Sequence, residues 1–446
     1  MVDNSAELKR RYKNSLLTPW SKQQDVDPQI ITEAHGVYLT TDKGQRLLDM
    51  KSQSFHANLG HAHQGMIKAI GTAAQSARVL SFDSFCPDRL GLAEDLQRIA
   101  PKTASHQLSK SFFTLGGAEA NENAVKIARM FTGRHKIITR YRSYHGATIA
   151  TMNFSGDYRR IPIDNSITGV IRFPDPYPRG SGQVIDTVRL LQEIIEVEGP
   201  ETIAAIMLEG ITGANGVFIP PPDYWSRIRK LCDDFGIALI ADEVLSGFWR
   251  TGRWFGIDHF DVAPDIMTLS KGITGGYLPL GAVMVSPAIA DYFNQETLWC
   301  GLTQYGHPLS CAAARAAIGF YESDKIGDNV LARGQELSDG LKNLSKQHEI
   351  IAETRSIGLL AAIDLGRIGD KNQALVPYRA HGEALKPTAI LQKALLAEGI
   401  STLVRYSTII LAPPLVITAQ ELKEGLTAVG RALTTLREKL SLAIIS

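Results

Sequence analysis

Between about Leu108 and Val285 the chain repeats one pattern: a short apolar run, a turn, then a stretch with helical spacing. The runs read "SFFTLGG", "KIITRY", "GVIRF", "IAAIMLE", "IALIADE", "IMTLSKG" and "LGAVMVS", and the helical stretches include "AEANENAVKIARMFTG", "VRLLQEIIEVEG" and "YWSRIRKLCDDFG". Strands without polar alternation are covered on both faces, and strands joined by crossover helices run parallel. The expectation is an α/β fold built on a mostly parallel central sheet.

The flanks differ. "GVYLTTDKGQRLLDM" reads as a hairpin, and the last 130 or so residues mix helices with strands such as "GLLAAIDLG" and "STIILAPPL" in an α+β arrangement. Residues 1–60 and 316–446 are therefore expected to make a smaller domain from both chain ends, around a large domain spanning 61–315. "PDPYPRGSG", from Pro174 to Gly182, is a Pro/Gly loop.

Charge narrows the partners. Lys plus Arg total 47 against 46 Asp plus Glu, a net charge of +1, which leaves no basic footprint for nucleic acid or anionic lipid. The four cysteines form no C-x-x-C pair, so neither a disulfide framework nor a zinc site is expected. The N-terminus has no apolar h-region, and no segment approaches roughly 18 consecutive apolar residues. A soluble, cytoplasmic protein acting on small molecules fits these features.

In open α/β sheets ligands lie outside the carboxyl ends of the strands, so the residues just past each apolar run are site candidates. They are Gly116, Gly117 and Ala118; Tyr144, His145 and Gly146; Glu209; Asp242 and Glu243; and Lys271. Each has an ordinary explanation. The glycines can be a tight turn, Asp242 a helix cap, and Lys271 a snorkelling strand-end lysine. Together they are the parts of a pyridoxal phosphate site. The lysine forms a Schiff base, the acid keeps the pyridine nitrogen protonated, the aromatic covers a ring face, and bare amides at a helix start hold the phosphate.

The block "LIADEVLSGFWRTGRWFGIDHFDVAPDIMTLSKGITGGYLPLGAV" resembles the signature of the class III, omega-type aminotransferases of fold type I, and the similarity runs from about Leu39 to the C-terminus. The resemblance implies transfer of an amino group from an amine or omega-amino acid to a keto acid by ping-pong half-reactions. Lys271 and Asp242 would be catalytic, with Val244 packed opposite Tyr144 on the ring. "TLGGAEANENAVKIAR" matches the phosphate turn, Gly117 and Ala118 offering amides without the usual Ser or Thr. "YHG" supplies Tyr144 and His145. "LEGITGANGVFIPP" places Glu209 near the ring hydroxyl, with Gly210 where the family usually has Pro. "GLTQYGHPLSCAAA" implies that Thr303 binds the phosphate of a neighbouring subunit, which makes the active unit a homodimer.

The same likeness assigns Arg405, before "APPL", to the substrate carboxylate. Trp20, Phe55 and Tyr144 would form the pocket wall; Phe55 stands where relatives often carry Trp, which suggests a rather apolar pocket, with His56 and Trp299 adding polarity. Taurine, beta-alanine, gamma-aminobutyrate, diamines and simple amines are all open as donors, and pyruvate is preferred to 2-oxoglutarate as acceptor. Glu243 is expected to fix its loop through a salt bridge to Arg250, and His145 and His307 to be structural hydrogen-bonders. A racemase, aminomutase or decarboxylase on the same fold is the nearest alternative. A nucleotide-binding module is disfavoured, because G-x-G-x-x-G and G-K-[ST] are both absent.

Overall fold

The computed structural model describes residues 5–164, 168–177 and 185–445. The apolar runs of the sequence become one seven-stranded sheet, whose spatial order is Lys110–Thr114, Gly281–Val285, Ile266–Leu269, Ala238–Asp242, Ile203–Glu209, Lys136–Arg140 and Val170–Phe173. Every residue of the strands Ile203–Glu209, Ala238–Asp242, Ile266–Leu269 and Gly281–Val285 is buried, which is why none of them alternates in polarity. Each fully buried Leu or Ile there contributes about 2 kcal/mol of hydrophobic stabilisation.

Five strands pair in parallel, from Val170–Phe173 across to Ile266–Leu269. Gly281–Val285 is the exception and runs antiparallel to both of its neighbours, setting Ala282 opposite Phe113 on one side and Leu269 on the other. The connection that precedes it, residues 270–280, holds a single short 3-10 turn, too little chain for a parallel crossover. The strand therefore folds straight back, and Lys271 is left at the first residue of the reversal.

Helix Gly117–Thr132 packs on the sheet through Ala120, Ala124, Ile127 and Ala128, small residues at helical spacing that let it approach closely. It stops at Gly133, whose φ of 67° is the left-handed conformation glycine adopts without cost. Helix Tyr224–Phe235 is anchored by Trp225, fully buried, with its Nε1 donating to the Gly210 carbonyl at 3.2 Å.

Both chain ends meet beside this core. The expected hairpin is present as Tyr38–Thr41 and Arg46–Asp49, and the four-stranded sheet that contains it takes its last strand, Ile400–Ser401, from the far end of the sequence. A third, antiparallel sheet is built from Ile351–Ile357, Leu360–Arg367, Leu403–Arg405 and Thr408–Leu411, with Asp370–Ala374 attached at one side. The Pro174–Gly182 loop runs beyond the described residues after Tyr177.

Candidate active site

A cavity of about 1030 Å³ opens at the carboxyl ends of the parallel strands. Lys271, Asp242, Gly117, Ala118, Tyr144, His145, Glu209, Val244, Trp20, Phe55 and Arg405 all line it. Thr303 does not; it is exposed on the outer surface, in the loop before helix Pro308–Ser323.

Asp242 is the last residue of a fully buried strand, and its carboxylate is pinned from three directions. Oδ2 accepts from Asn121 Nδ2 at 2.8 Å and pairs with His145 Nδ1 at 2.7 Å, while Oδ1 accepts the Val244 amide at 3.0 Å. A carboxylate has about four acceptor positions, so one on Oδ1 is left for the cavity. Behind it, Thr268 Oγ1 donates to Asn121 Oδ1 at 2.6 Å, and His145 Nε2 lies 3.3 Å from Thr139 Oγ1. His145 is thus a hydrogen-bonding neighbour of Asp242. Asn121 and Thr268 were not singled out from the sequence; the one signal was a polar residue on the alanine-lined face of "AEANENA".

Lys271 reaches the cavity from deep in the fold, its Nζ 5.8 Å from the centroid of the Phe55 ring. Burial pushes its ammonium below the ordinary lysine range, against the pull of Asp242 and Glu209. A neutral amine is the nucleophilic form. Its backbone is also strained: φ is +46°, a conformation that costs a non-glycine residue about 1–2 kcal/mol. Neighbours hold it there. Ser270 Oγ donates to the Leu280 carbonyl at 2.8 Å and Tyr321 Oη to the Gly272 carbonyl at 2.7 Å.

An anion cradle lies opposite. Helix Gly117–Thr132 starts after Gly116 with no side-chain cap, so its first amides point outward unpaired within the helix. A Cβ on Gly117 would come within 2.9 Å of Val244 Cγ1, which reserves that position for glycine. Glu209, in the wall itself, fixes the backbone around it: Oε1 accepts the Tyr144 amide at 3.0 Å and Oε2 the Gly213 amide at 2.9 Å. Burial raises its pKa.

The expected Glu243–Arg250 salt bridge is absent. Glu243 accepts from Ser246 Oγ at 2.6 Å and from the Gly256 and Ile257 amides at 2.8 Å each, so it does fix the loop, through backbone donors. Those bonds do not offset burial, which pushes its carboxyl up to about 8. Arg250 points the other way, to the carbonyls of Leu359 and Pro413 and to Ser52 Oγ and Asn58 Oδ1. The position of Gly210 also becomes intelligible, because a Cβ there would stand 2.1 Å from Glu243 Oε1.

Phe55 is presented by a strained turn in which Ser52, Gln53 and Phe55 have φ of 45°, 61° and 64°. Asp49 secures it, accepting the Gln53 amide at 3.0 Å and the Lys51 amide at 3.2 Å while its Oδ2 lies 3.0 Å from His61 Nε2.

The wall beyond Phe55 corrects the expectation of an apolar pocket. Arg159 also lines the cavity, its guanidinium carbon 4.2 Å from the Tyr144 ring centroid and 4.6 Å from that of Trp20. Asp157 holds it by two parallel bonds, Nε to Oδ1 at 2.9 Å and Nη2 to Oδ2 at 3.0 Å. Arg405 Nη1 joins the same Oδ2 at 2.9 Å and also donates to Asn215 Oδ1 at 3.1 Å. Two guanidiniums share one carboxylate, so this end of the cavity is cationic. The sequence reading missed Arg159; "GDYRR" looks like an ordinary charged loop.

Chemically, the cavity suits a phosphorylated aldehyde with a basic ring nitrogen: a neutral amine to condense with, an anchored carboxylate with one open acceptor position, and unpaired amides for the phosphate. Comparison with known proteins agrees. The family described as Aminotransferase class-III matches residues 20–433. A putrescine–pyruvate aminotransferase of Pseudomonas aeruginosa is 30% identical over 96% of this chain and 95% of its own length. A taurine–pyruvate aminotransferase of Bilophila wadsworthia is 29% identical, covering 99% of this chain and all of its own. Among solved structures, the taurine:2-oxoglutarate aminotransferase of Bifidobacterium kashiwanohense, in complex with PLP and glutamate, matches with a TM-score of 0.90 at 37% identity over 97% of this chain and 98% of that one.

The chain belongs to the class III aminotransferases. It is a pyridoxal-phosphate-dependent transaminase, with the mostly parallel sheet of fold type I.

Proposed function

We propose that the enzyme takes the amino group of an ω-amino acid with an anionic tail, of the taurine or beta-alanine class, and delivers it to a keto acid. Pyruvate is the first choice of acceptor and 2-oxoglutarate the second. One observation carries the donor reading: Arg159, stacked on Tyr144 and Trp20, puts a fixed cation in the pocket wall. Sulfonates and carboxylates match it, whereas the distal ammonium of a diamine meets repulsion from Arg159 and Arg405. The names of two relatives, which pair taurine with pyruvate and with 2-oxoglutarate, accord with this reading.

The proposed residue roles are supported by their shared position in the cavity wall. When bound, the coenzyme supplies a carbonyl for the amine and a ring that accepts an electron pair. Lys271 Nζ would hold the coenzyme's carbonyl carbon, and as a free amine it is the group placed to take and return a proton at the amino-bearing carbon of the substrate. Asp242 Oδ1 would receive the ring N–H. The amides of Gly117 and Ala118 would hold the phosphate, Tyr144 and Val244 would cover the two ring faces, and Glu209 would lie on the ring-hydroxyl side. His145 keeps Asp242 in place, Phe55 and Trp20 shape the wall, and Arg405 binds the keto acid carboxylate.

A donor screen tests this. Beta-alanine and taurine with pyruvate should yield alanine, faster than diamines or simple amines do. Arg159→Ala should raise KM for the anionic donors about 10- to 100-fold, the loss of a charge-assisted hydrogen bond of about 1.5–3 kcal/mol, and leave a simple amine little changed. Alanine formation also separates a transaminase from a racemase, aminomutase or decarboxylase. Equal use of amines with and without an anionic tail would rule the donor reading out.

The active unit is proposed to be a homodimer in which Thr303 of the partner subunit meets the phosphate. Thr303 is exposed and does not line its own chain's cavity, and Val79, Phe82, Phe85 and Trp299 leave large apolar groups on the surface. Light scattering should give twice the 48.7 kDa chain mass, and Thr303→Ala should weaken coenzyme binding about tenfold. A monomer that binds coenzyme at full strength would contradict this. We also propose domain boundaries near residues 60 and 315, as the sequence suggests. A cytoplasmic location accords with four free thiols, Cys86, Cys232, Cys300 and Cys311. No helix among the described residues is long and apolar enough to cross a membrane.

A further inference from the structure

We infer that Asp157 is the positioning residue for the anionic ends of both substrates, because this one buried carboxylate sets the guanidiniums of Arg159 and Arg405 together. The inference rests on the ω-amino acid reading above and asks what makes that reading work.

The geometry is asymmetric in a telling way. Arg159 and Arg405 line the cavity, but Asp157 does not; it lies behind them with no exposed surface. Its Oδ1 accepts from the Arg159 amide at 3.0 Å and from Arg159 Nε at 2.9 Å, and its Oδ2 from Arg159 Nη2 at 3.0 Å and Arg405 Nη1 at 2.9 Å. Its own amide is fixed to the Ser143 carbonyl at 3.0 Å. Every acceptor position of the carboxylate is therefore used, and all of its bonds face the two arginines.

Those bonds decide which edges of the arginines are left. Arg159 spends its Nε and Nη2 edge on Asp157, so Nη1 is the nitrogen free for a ligand. Arg405 spends only Nη1, on Asp157 and Asn215, and keeps Nη2 and Nε. The two cations come from distant parts of the chain, Arg405 on the strand Leu403–Arg405 and Arg159 on the turn Tyr158–Ile163. Among the described residues no other side chain is hydrogen-bonded to both. Burial alone would raise the pKa of Asp157, but the hydrogen bonds from Arg159 and the charge of Arg405 outweigh it and keep the group ionised.

Two positive charges against one negative leave a single unmatched positive charge at this end of the cavity. One sulfonate or carboxylate balances it, which suits a ping-pong enzyme whose donor and acceptor occupy the site in turn. Without Asp157 the guanidiniums repel each other and lose their fixed edges. The added positive potential does not compensate, because directed hydrogen bonds to an anion depend on geometry more than on net charge.

The test compares wild type and Asp157→Asn as holoenzymes, with beta-alanine and n-propylamine as donors of equal carbon length, one with and one without the anion. In ping-pong kinetics kcat/KM for the donor is independent of the acceptor, so the two can be ranked directly. The expected result is a fall of at least about tenfold in kcat/KM for beta-alanine and a KM for pyruvate raised by about as much. Propylamine should stay within about threefold, with the coenzyme absorbance band unchanged. A purely structural role would lower both donors alike and would overturn the inference, as would an unchanged preference between them. Should Asp157→Asn not fold, Asp157→Ser asks the same question in a smaller side chain. A wild type that prefers propylamine removes the ω-amino acid reading and this inference with it; a wild type that prefers beta-alanine while the variant keeps its ratio removes this inference alone.

Discussion

Lys271→Ala is expected to lower the conversion of beta-alanine and pyruvate to alanine by at least about a thousandfold, the upper range for loss of a positioned acid–base group, here one proposed to be the covalent anchor as well. No neighbour can take its place. Arg159 and Arg405 line the same cavity, but a guanidinium gives up no proton at neutral pH and is neither a base nor a nucleophile. Lys51 also lines it, yet it precedes the strained turn that presents Phe55, whereas Lys271 is the lysine acted on by the charges of Asp242 and Glu209. Burial lowers the Lys271 ammonium, so its neutral form is more populated near pH 7 than that of an exposed lysine.

Three measurements follow for that variant. Alanine production read by chromatography gives the size of the loss. Borohydride treatment of wild type should fix the coenzyme at residue 271, and the variant should carry no such label. Removing the lysine side chain opens space next to the substrate carbon, so a small amine such as methylamine should restore part of the rate by acting as a diffusible base. An alanine variant that turns over at the wild-type rate would leave Lys271 without the proposed role.

How much of this could be read from the chain depends on whether a feature is local. The strands were legible because burial on both faces removes polar residues from them, and the site list was legible because parallel strands all end on one side. The direction of Gly281–Val285 was not, since an apolar run has no polarity; only the short connection after Leu269 forces it to turn back. Glu243 and Arg250 are seven positions apart with opposite charges, which invited pairing, but the backbone turns between them and sends the two side chains to different partners. Asp157 and Arg405 are separated by 248 positions, and nothing in "GDYRR" announces that a C-terminal strand will arrive beside it. The strand-end part of the cavity follows from the apolar runs; at the other end Trp20, Phe55 and Arg405 were named through the resemblance, while Asp157 and Arg159, which the fold brings beside Arg405, were not.

Asp242→Asn is expected to reduce kcat by about a thousandfold, more than an uncharged isostere suggests, because the surrounding donors dictate how the amide must sit. Asn121 Nδ2 and His145 both address Oδ2, so the asparagine oxygen has to occupy that side. Its NH₂ group then falls where Oδ1 was. There it faces the Val244 amide, donor against donor, and presents hydrogens to the cavity in place of the acceptor position that would receive a ring N–H. The substitution thus reverses the polarity of the site as well as removing its charge. The clash with the Val244 amide costs about 1–3 kcal/mol, the price of one buried unpaired donor, and the melting temperature should drop by about 1–3 °C while the protein stays folded. Coenzyme affinity should fall much less than kcat, since the Gly117 and Ala118 amides that would hold the phosphate are untouched. Stopped-flow absorbance for the half-reaction with beta-alanine, together with a coenzyme titration, separates the two quantities. Should the asparagine variant keep its half-reaction within about tenfold of wild type, the carboxylate at the end of the strand would not be what tunes the coenzyme, and the role assigned to Asp242 would have to move elsewhere in the cavity.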